Sequence, residues 1–188
     1  LMKNIDHFFF LPAQFWPHKN HITVMRALKL LKNKYGIDIN VAMTGGMFSE
    51  FERIDNYICN NGLHNVKYLG KVSIDELRDL YKRSIAVLVP SVYESSSLPL
   101  LEAISCSSQV IASDTPPNKE MGYFFDITYF DTYDHVKLSG ILRKFWETER
   151  GVVSSKNEVN IQIFSWVNIA SKYLKLFEDI IHQTKEKS

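Results

Sequence analysis

The sequence predicts an α/β fold, a doubly wound parallel sheet with helices on both faces, and two observations carry that expectation. Short β-rich runs alternate with longer amphipathic ones as far as Asp131. Beyond Asp131 the period becomes helical and stays so, which adds C-terminal helices packed on a finished sheet.

The expected strands are Asp6 to Leu11, Ile39 to Thr44, Val66 to Leu69, Ile85 to Pro90, Val110 to Ser113 and a last β-rich stretch, Tyr123 to Phe130. The first helix carries apolar residues at Val24, Leu28, Leu31 and Tyr35, with Arg26, Lys29 and Lys32 on another face. Ser49 to Asn61 reads as the second helix, ended by Gly62. Ser73 to Arg83 reads as the third, where Ser73 and Glu76 form a capping box. Tyr133 to Thr148 and Ser165 to Thr184 are the C-terminal helices, and the short polar stretch Gly151 to Lys156 is expected to be a flexible connection.

At 188 residues, with 45% hydrophobic and 23% charged residues, the chain suits one packed domain spanning 1–188. A formal net charge of +1 and no basic run disfavour a nucleic-acid partner. The two cysteines, Cys59 and Cys106, lie outside any metal-ligand spacing and are expected to be reduced thiols in a cytoplasmic protein. No apolar run approaches the roughly 20 residues of a membrane helix. Nothing near the start has the order of a secretory signal, and a start at Leu1 suggests that sequence upstream is missing.

The most informative stretch runs from Val87 to Ala103: a buried strand, a loop and a helix start. Pro99 suits the first helical turn, where its missing N–H removes no hydrogen bond, and Ser96 or Ser97 is placed to cap it. Free backbone N–H groups and the helix dipole there make an anion site at the carboxyl end of a parallel strand. Glu94 in the loop and Glu102 one turn into the helix suit sugar and ribose hydroxyls, because ionised carboxylates only accept hydrogen bonds. A solvated surface role is the competing reading for a helical glutamate such as Glu102.

Pro90 through Asp114 resembles the signature of retaining family 4 glycosyltransferases of the GT-B fold: proline-serine, a glutamate, a short loop, leucine-proline, then a second glutamate eight residues after the first. Val110 to Asp114 is similar to the family's next strand. Phe130-Asp131 with Tyr133-Asp134 resembles its later Phe-Asp-Pro-x-Asp stretch, and Phe164-Ser165-Trp166 the opening of its last helix. The resemblance runs from about Phe8 to Phe177. It implies a Rossmann-like half of a GT-B enzyme, transfer with retention, no cofactor and no metal, and a nucleoside-diphosphate sugar as substrate.

On that resemblance, Gln14 stands at the family's phosphate-binding arginine and Lys19 at its lysine. Between His7 and Ile37 there are five Lys or Arg residues and no acidic one, so the region attracts anions. Lys19 beside a helix start is unfavourable by about 0.3–1 kcal/mol unless an anion shares the site. The resemblance implies that Lys19, the helix start at Ser96, Ser97 and Leu98, and Gln14 meet the diphosphate. Glu94 would hold the donor sugar and Glu102 the ribose, with Lys19 and Glu94 nearest the chemistry. Ser95-Ser96-Ser97 departs from the family's glycine-rich loop, and Ser107 and Ser108 are further glycine losses.

Other features carry structural readings. His18 and His21 lack a third ligand near in sequence and read as loop or surface residues. Gly45-Gly46 reads as a tight turn beside the donor cleft. Phe15 and Trp16 read as packing under the phosphate loop, facing a missing domain, or lying in the core. Lys71-Val72 resembles a loop near the base.

The sequence thus points to the donor-binding domain of a glycosyltransferase in glycan, capsule or lipopolysaccharide synthesis. The expected partners are a nucleotide-sugar donor, an N-terminal acceptor domain outside this chain, and a glycan or lipid-linked acceptor. A peripheral contact of the full-length enzyme with the inner face of the membrane goes with such an acceptor. The rival is a non-catalytic nucleotide-binding or partner-docking domain of the same fold, motivated by Gln14 and the three serines.

Overall fold

A computed structural model describes residues 7–148, 157 and 161–185. Six strands form one parallel sheet: β1 (Phe9–Pro12), β2 (Val41–Thr44), β3 (Val66–Tyr68), β4 (Val87–Val89), β5 (Val110–Ser113) and β6 (Thr128–Phe130). Their spatial order is β3-β2-β1-β4-β5-β6. The chain therefore winds outward from β1 in one direction, returns at β4, and winds outward in the other. Loops leaving the carboxyl ends of β1 and β4 stand side by side at this switch point, the place where open α/β sheets bind ligands.

The helices between strands are α1 (His21–Tyr35), α2 (Phe51–Asn60), α3 (Ile74–Arg83), α4 (Leu98–Ser105) and α5 (Pro116–Met121), followed by α6 (His135–Glu147) and α7 (Trp166–Lys185). Alternate strand residues feed two cores. Phe9, Leu11, Val41, Met43, Leu88 and Ile111 pack with α1, α2 and α6. Phe8, Phe10, Ala42, Val87, Val89, Val110 and Ala112 pack with α3, α4 and the α5–β6 turn. A strand buried on both faces must be apolar at every position, which is why these runs lack polar alternation.

Ser73 caps α3 as expected: its Oγ accepts from Glu76 N at 3.3 Å while its own N–H donates to Glu76 Oε2 at 2.8 Å. Two expectations are corrected. The stretch Tyr123 to Phe130 is strand only over Thr128–Phe130, because Phe124 and Phe125 donate their N–H groups back to Met121 and continue the turn of α5. Pro116 and Pro117 start that helix, where a missing N–H removes nothing.

The C-terminal helix is the second correction. Asn157 and the short turn Ile161–Phe164 return to the domain, Asn157 Oδ1 accepting from Asp126 N at 2.8 Å and Phe164 lying 5.2 and 5.4 Å from Phe124 and Phe125. From Trp166 onward α7 leaves the sheet, and Trp166, Tyr173, Phe177, Ile180 and Ile181 are exposed along it. The stretch expected as a flexible connection, Gly151 to Lys156, lies outside the described residues. No helix of the described residues is long and apolar enough to cross a membrane.

Candidate functional site

The β1–α1 and β4–α4 loops meet at the switch point and are tied together by their backbones. Val92 N–H donates to the His18 carbonyl at 2.8 Å. Asn20 takes the left-handed conformation with φ 53°, which asparagine tolerates better than most residues. From there its Nδ2 donates to the Pro90 carbonyl at 3.0 Å and to the Thr132 carbonyl at 2.9 Å, while Oδ1 accepts from Thr23 Oγ1 at 2.8 Å. Ser113 Oγ donates to the Ser91 carbonyl at 2.5 Å, lacing β5 to the same loop.

Within this frame Lys19 Nζ lies 2.5 Å from Glu94 Oε1, with side chains 16% and 10% exposed. Ser91 Oγ donates to the same carboxylate oxygen at 2.6 Å. Two of the sequence-predicted residues are thus brought into contact across 75 positions of chain. Such shielding makes their mutual attraction stronger than that of a surface pair.

α4 begins at Leu98 behind Ser97, with Pro99 in its first turn as expected. The side-chain cap expected from Ser96 or Ser97 does not form. Ser97 has φ −93° and ψ 80°, and its buried Oγ has no hydrogen-bond partner among the described residues. The first turn closes by backbone bonds instead, from Leu100 N–H to Ser97 O at 3.1 Å and Leu98 N–H to Ser96 O at 3.3 Å.

Glu102 is exposed on α4 and meets neither Lys19 nor Glu94: its Oε2 accepts from the Tyr81 hydroxyl of α3 at 2.7 Å. Gln14 is also engaged, its Oε1 accepting from Trp16 Nε1 at 3.0 Å. Phe15 and Trp16 part company. Phe15 is core, edge-on to Phe51 and Tyr68, whereas the half-exposed Trp16 stacks on Phe48 at 4.1 Å on the rim. The Gly45-Gly46 turn lies tight against this loop, since a Cβ on Gly45 would stand 2.5 Å from the Ala13 carbonyl oxygen. Lys71 is exposed, and Val72 packs at the edge of the second core.

His21 opens α1 but turns inward, stacked on Phe15 at 4.3 Å and only 2% exposed. Neither ring nitrogen meets a hydrogen-bond partner among the described residues. Burial lowers its pKa from 6.5 to about 4; the Ala13 backbone opposes the shift and the charge of Lys19 adds to it. The ring is neutral at pH 7. Among the described residues no three His, Cys, Asp or Glu side chains gather as a metal site.

Sequence reasoning assigned no role to Asn20, Ser91 or Tyr81. Asn20 carried a faint signal, an asparagine directly after Lys19 and before a helix. Ser91 carried one too, three positions before Glu94. Tyr81 carried none, because a tyrosine on the inner face of a helix reads as core.

The model of the family described as glycosyl transferases group 1 matches residues 3–125. The O-antigen chain mannosyltransferase RfbU of Salmonella typhimurium is 28% identical over 114 residues, covering 61% of this chain and 31% of the relative. The capsular polysaccharide biosynthesis glycosyltransferase CapH of Staphylococcus aureus is 24% identical over 179 residues, covering 92% of this chain and 48% of the relative. The crystal structure of Anabaena HepE in complex with UDP and glucose superposes with a TM-score of 0.79 at 17% identity, covering 93% of this chain and 49% of that one. The chain spans about a third to a half of the length of these proteins.

Proposed function

Because the chain belongs to the glycosyl transferases group 1 family, we propose that it is the donor-binding half of an enzyme that moves a sugar from a nucleoside-diphosphate sugar to a glycan or lipid-linked acceptor, with retention of configuration. The observation that carries this reading is the Lys19–Glu94 contact at the switch point of the sheet, beside the start of α4. Open α/β sheets bind ligands at that place, and a cation and a carboxylate side by side suit a diphosphate and the sugar attached to it.

In this reading Lys19, the N-terminus of α4 at Ser96, Ser97 and Leu98, and the amide of Gln14 stabilise negative charge growing on the departing diphosphate. Glu94 exchanges its bond with Lys19 for hydroxyls of the donor sugar, and Glu102 holds the ribose. The acceptor lies on a second domain outside this chain. Two observations support that arrangement: this chain covers about half of a UDP-bound neighbour, and α7 leaves its apolar stripe exposed. The relatives named for O-antigen and capsule synthesis support a role in bacterial surface glycans, and the reading puts that work on the cytoplasmic side, at the inner face of the membrane.

The test is to titrate the full-length protein with sugars of UDP, GDP and ADP and to follow release of the nucleoside diphosphate with and without acceptor lipids or glycans. Acceptor-dependent release is expected, while the 188-residue chain folds and binds but transfers nothing. Absence of binding by every nucleotide sugar sinks the reading. Binding without turnover under any acceptor moves the protein to a non-catalytic nucleotide-binding role, which the engagement of Gln14 by Trp16 favours.

A further inference from the structure

Tyr81 is one of the largest side chains buried in the domain, 2% exposed at the end of α3, yet its hydroxyl reaches a residue that faces solvent. It donates to Glu102 Oε2 at 2.7 Å. The ring is held edge-on by Phe10 at 5.1 Å. Its backbone is held from two sides, since the Tyr81 carbonyl accepts from Ser84 Oγ at 2.9 Å and from Ser108 Oγ at 2.5 Å. Ser108 lies in the turn between α4 and β5, so the tyrosine is braced by the same unit that carries Glu102. Burial chiefly, and Glu102 secondarily, push the phenol's pKa above its usual range. The hydroxyl is therefore a permanent donor, matched to an ionised carboxylate.

A glutamate on an exposed helix face samples several rotamers, and fixing it on binding costs conformational entropy. Here one carboxylate oxygen is occupied by a rigid donor, and Oε1 has no partner among the described residues. We propose that Tyr81 is a positioning residue for nucleotide recognition: it holds Glu102 so that the remaining oxygen meets the ribose hydroxyls of a nucleoside diphosphate. The inference rests on Glu102 as the ribose ligand.

Tyr81→Phe removes only the hydroxyl and leaves the freed carboxylate in water, so the domain keeps its fold. The experiment measures dissociation constants by calorimetry for whichever of UDP, GDP and ADP binds tightest, and for its 2′,3′-dideoxy counterpart. The proteins are the wild type, Tyr81→Phe, Glu102→Gln and the double variant, with near-ultraviolet circular dichroism as the check on folding. Tyr81→Phe is expected to weaken the ribonucleotide about threefold to tenfold and leave the dideoxy form unchanged. Glu102→Gln should narrow the preference further, and adding Tyr81→Phe to it should change nothing. Equal weakening of both ligands, or an unchanged preference in Tyr81→Phe where Glu102→Gln narrows it, overturns the role of Tyr81 alone. An unchanged preference in Glu102→Gln overturns the ribose assignment and the inference with it. Should Tyr81→Phe lose its fold, Glu102→Asp takes its place: it keeps the charge, withdraws the carboxylate from the hydroxyl, and is expected to give the same selective loss.

Discussion

Lys19 and Glu94, 75 positions apart, share an ion pair at 2.5 Å that neutralises both charges at the switch point of the sheet. In the proposed reading an arriving diphosphate and the carboxylate compete for one ammonium group, and donor binding is an exchange of partners in which the Ser91 hydroxyl, now bonded to Glu94 Oε1, retains the released carboxylate.

Breaking this pair from either side leaves a shielded charge uncompensated. Lys19→Met and Glu94→Gln are each expected to lower stability by about 1–2 kcal/mol, and the double variant by less than the sum. Urea unfolding of the four proteins measures the coupling. Strict additivity would show that the contact contributes nothing.

The same pair predicts opposite effects on ligand. Lys19→Met should weaken nucleoside diphosphate by about tenfold or more, while Glu94→Gln should leave it equal or tighter and lose preference for the sugar-bearing form. Calorimetry with nucleotide and nucleotide sugar decides between this and a common loss in both variants.

Gln14 supplies only neutral groups, and its carbonyl is already committed to Trp16. Gln14→Arg should tighten diphosphate more than nucleoside, with a gain that shrinks from low to high salt, whereas Gln14→Ala should cost about 0.5–1.5 kcal/mol. A gain equal for nucleoside and diphosphate places the phosphate elsewhere.

His21 gives a pH dependence of stability. Its folded pKa of about 4 lies below the unfolded value near 6.5, so between these limits the unfolded chain binds a proton that the folded one refuses. Stability is full above pH 6.5 and falls as pH drops toward 4, by about 3 kcal/mol at most. His21→Phe should flatten that part of the profile, read as the difference between variant and wild-type unfolding curves at pH 7 and pH 5. Parallel curves contradict it.

Ser107 sits with φ 56°, a left-handed conformation that its Cβ disfavours. Ser107→Gly is expected to raise stability by about 0.5–1 kcal/mol, glycine's gain in the fold being partly offset by its freer unfolded chain. A lower midpoint in chemical denaturation contradicts the strain.

Strand positions were legible because a parallel strand buried on both faces must be continuously apolar, as Phe8 to Leu11 and Val110 to Ala112 are. Pro99 and the Ser73–Glu76 box marked helix starts by local rules that need no tertiary partner. Lys19, Glu94 and Glu102 were legible as residue types at family spacings. By itself, then, the sequence determined the alternation of elements, the α/β class and the chemical character of the loops, since each follows from interactions within a few residues. Tertiary structure alone decided which residues meet. Strand order put the β1 and β4 loops side by side and so paired Lys19 with Glu94, and packing of α3 against α4 gave Glu102 its tyrosine. It also sent His21 into the core and left the apolar face of α7 in solvent. Contacts between distant segments depend on how the layers pack, and local periodicity carries no record of that.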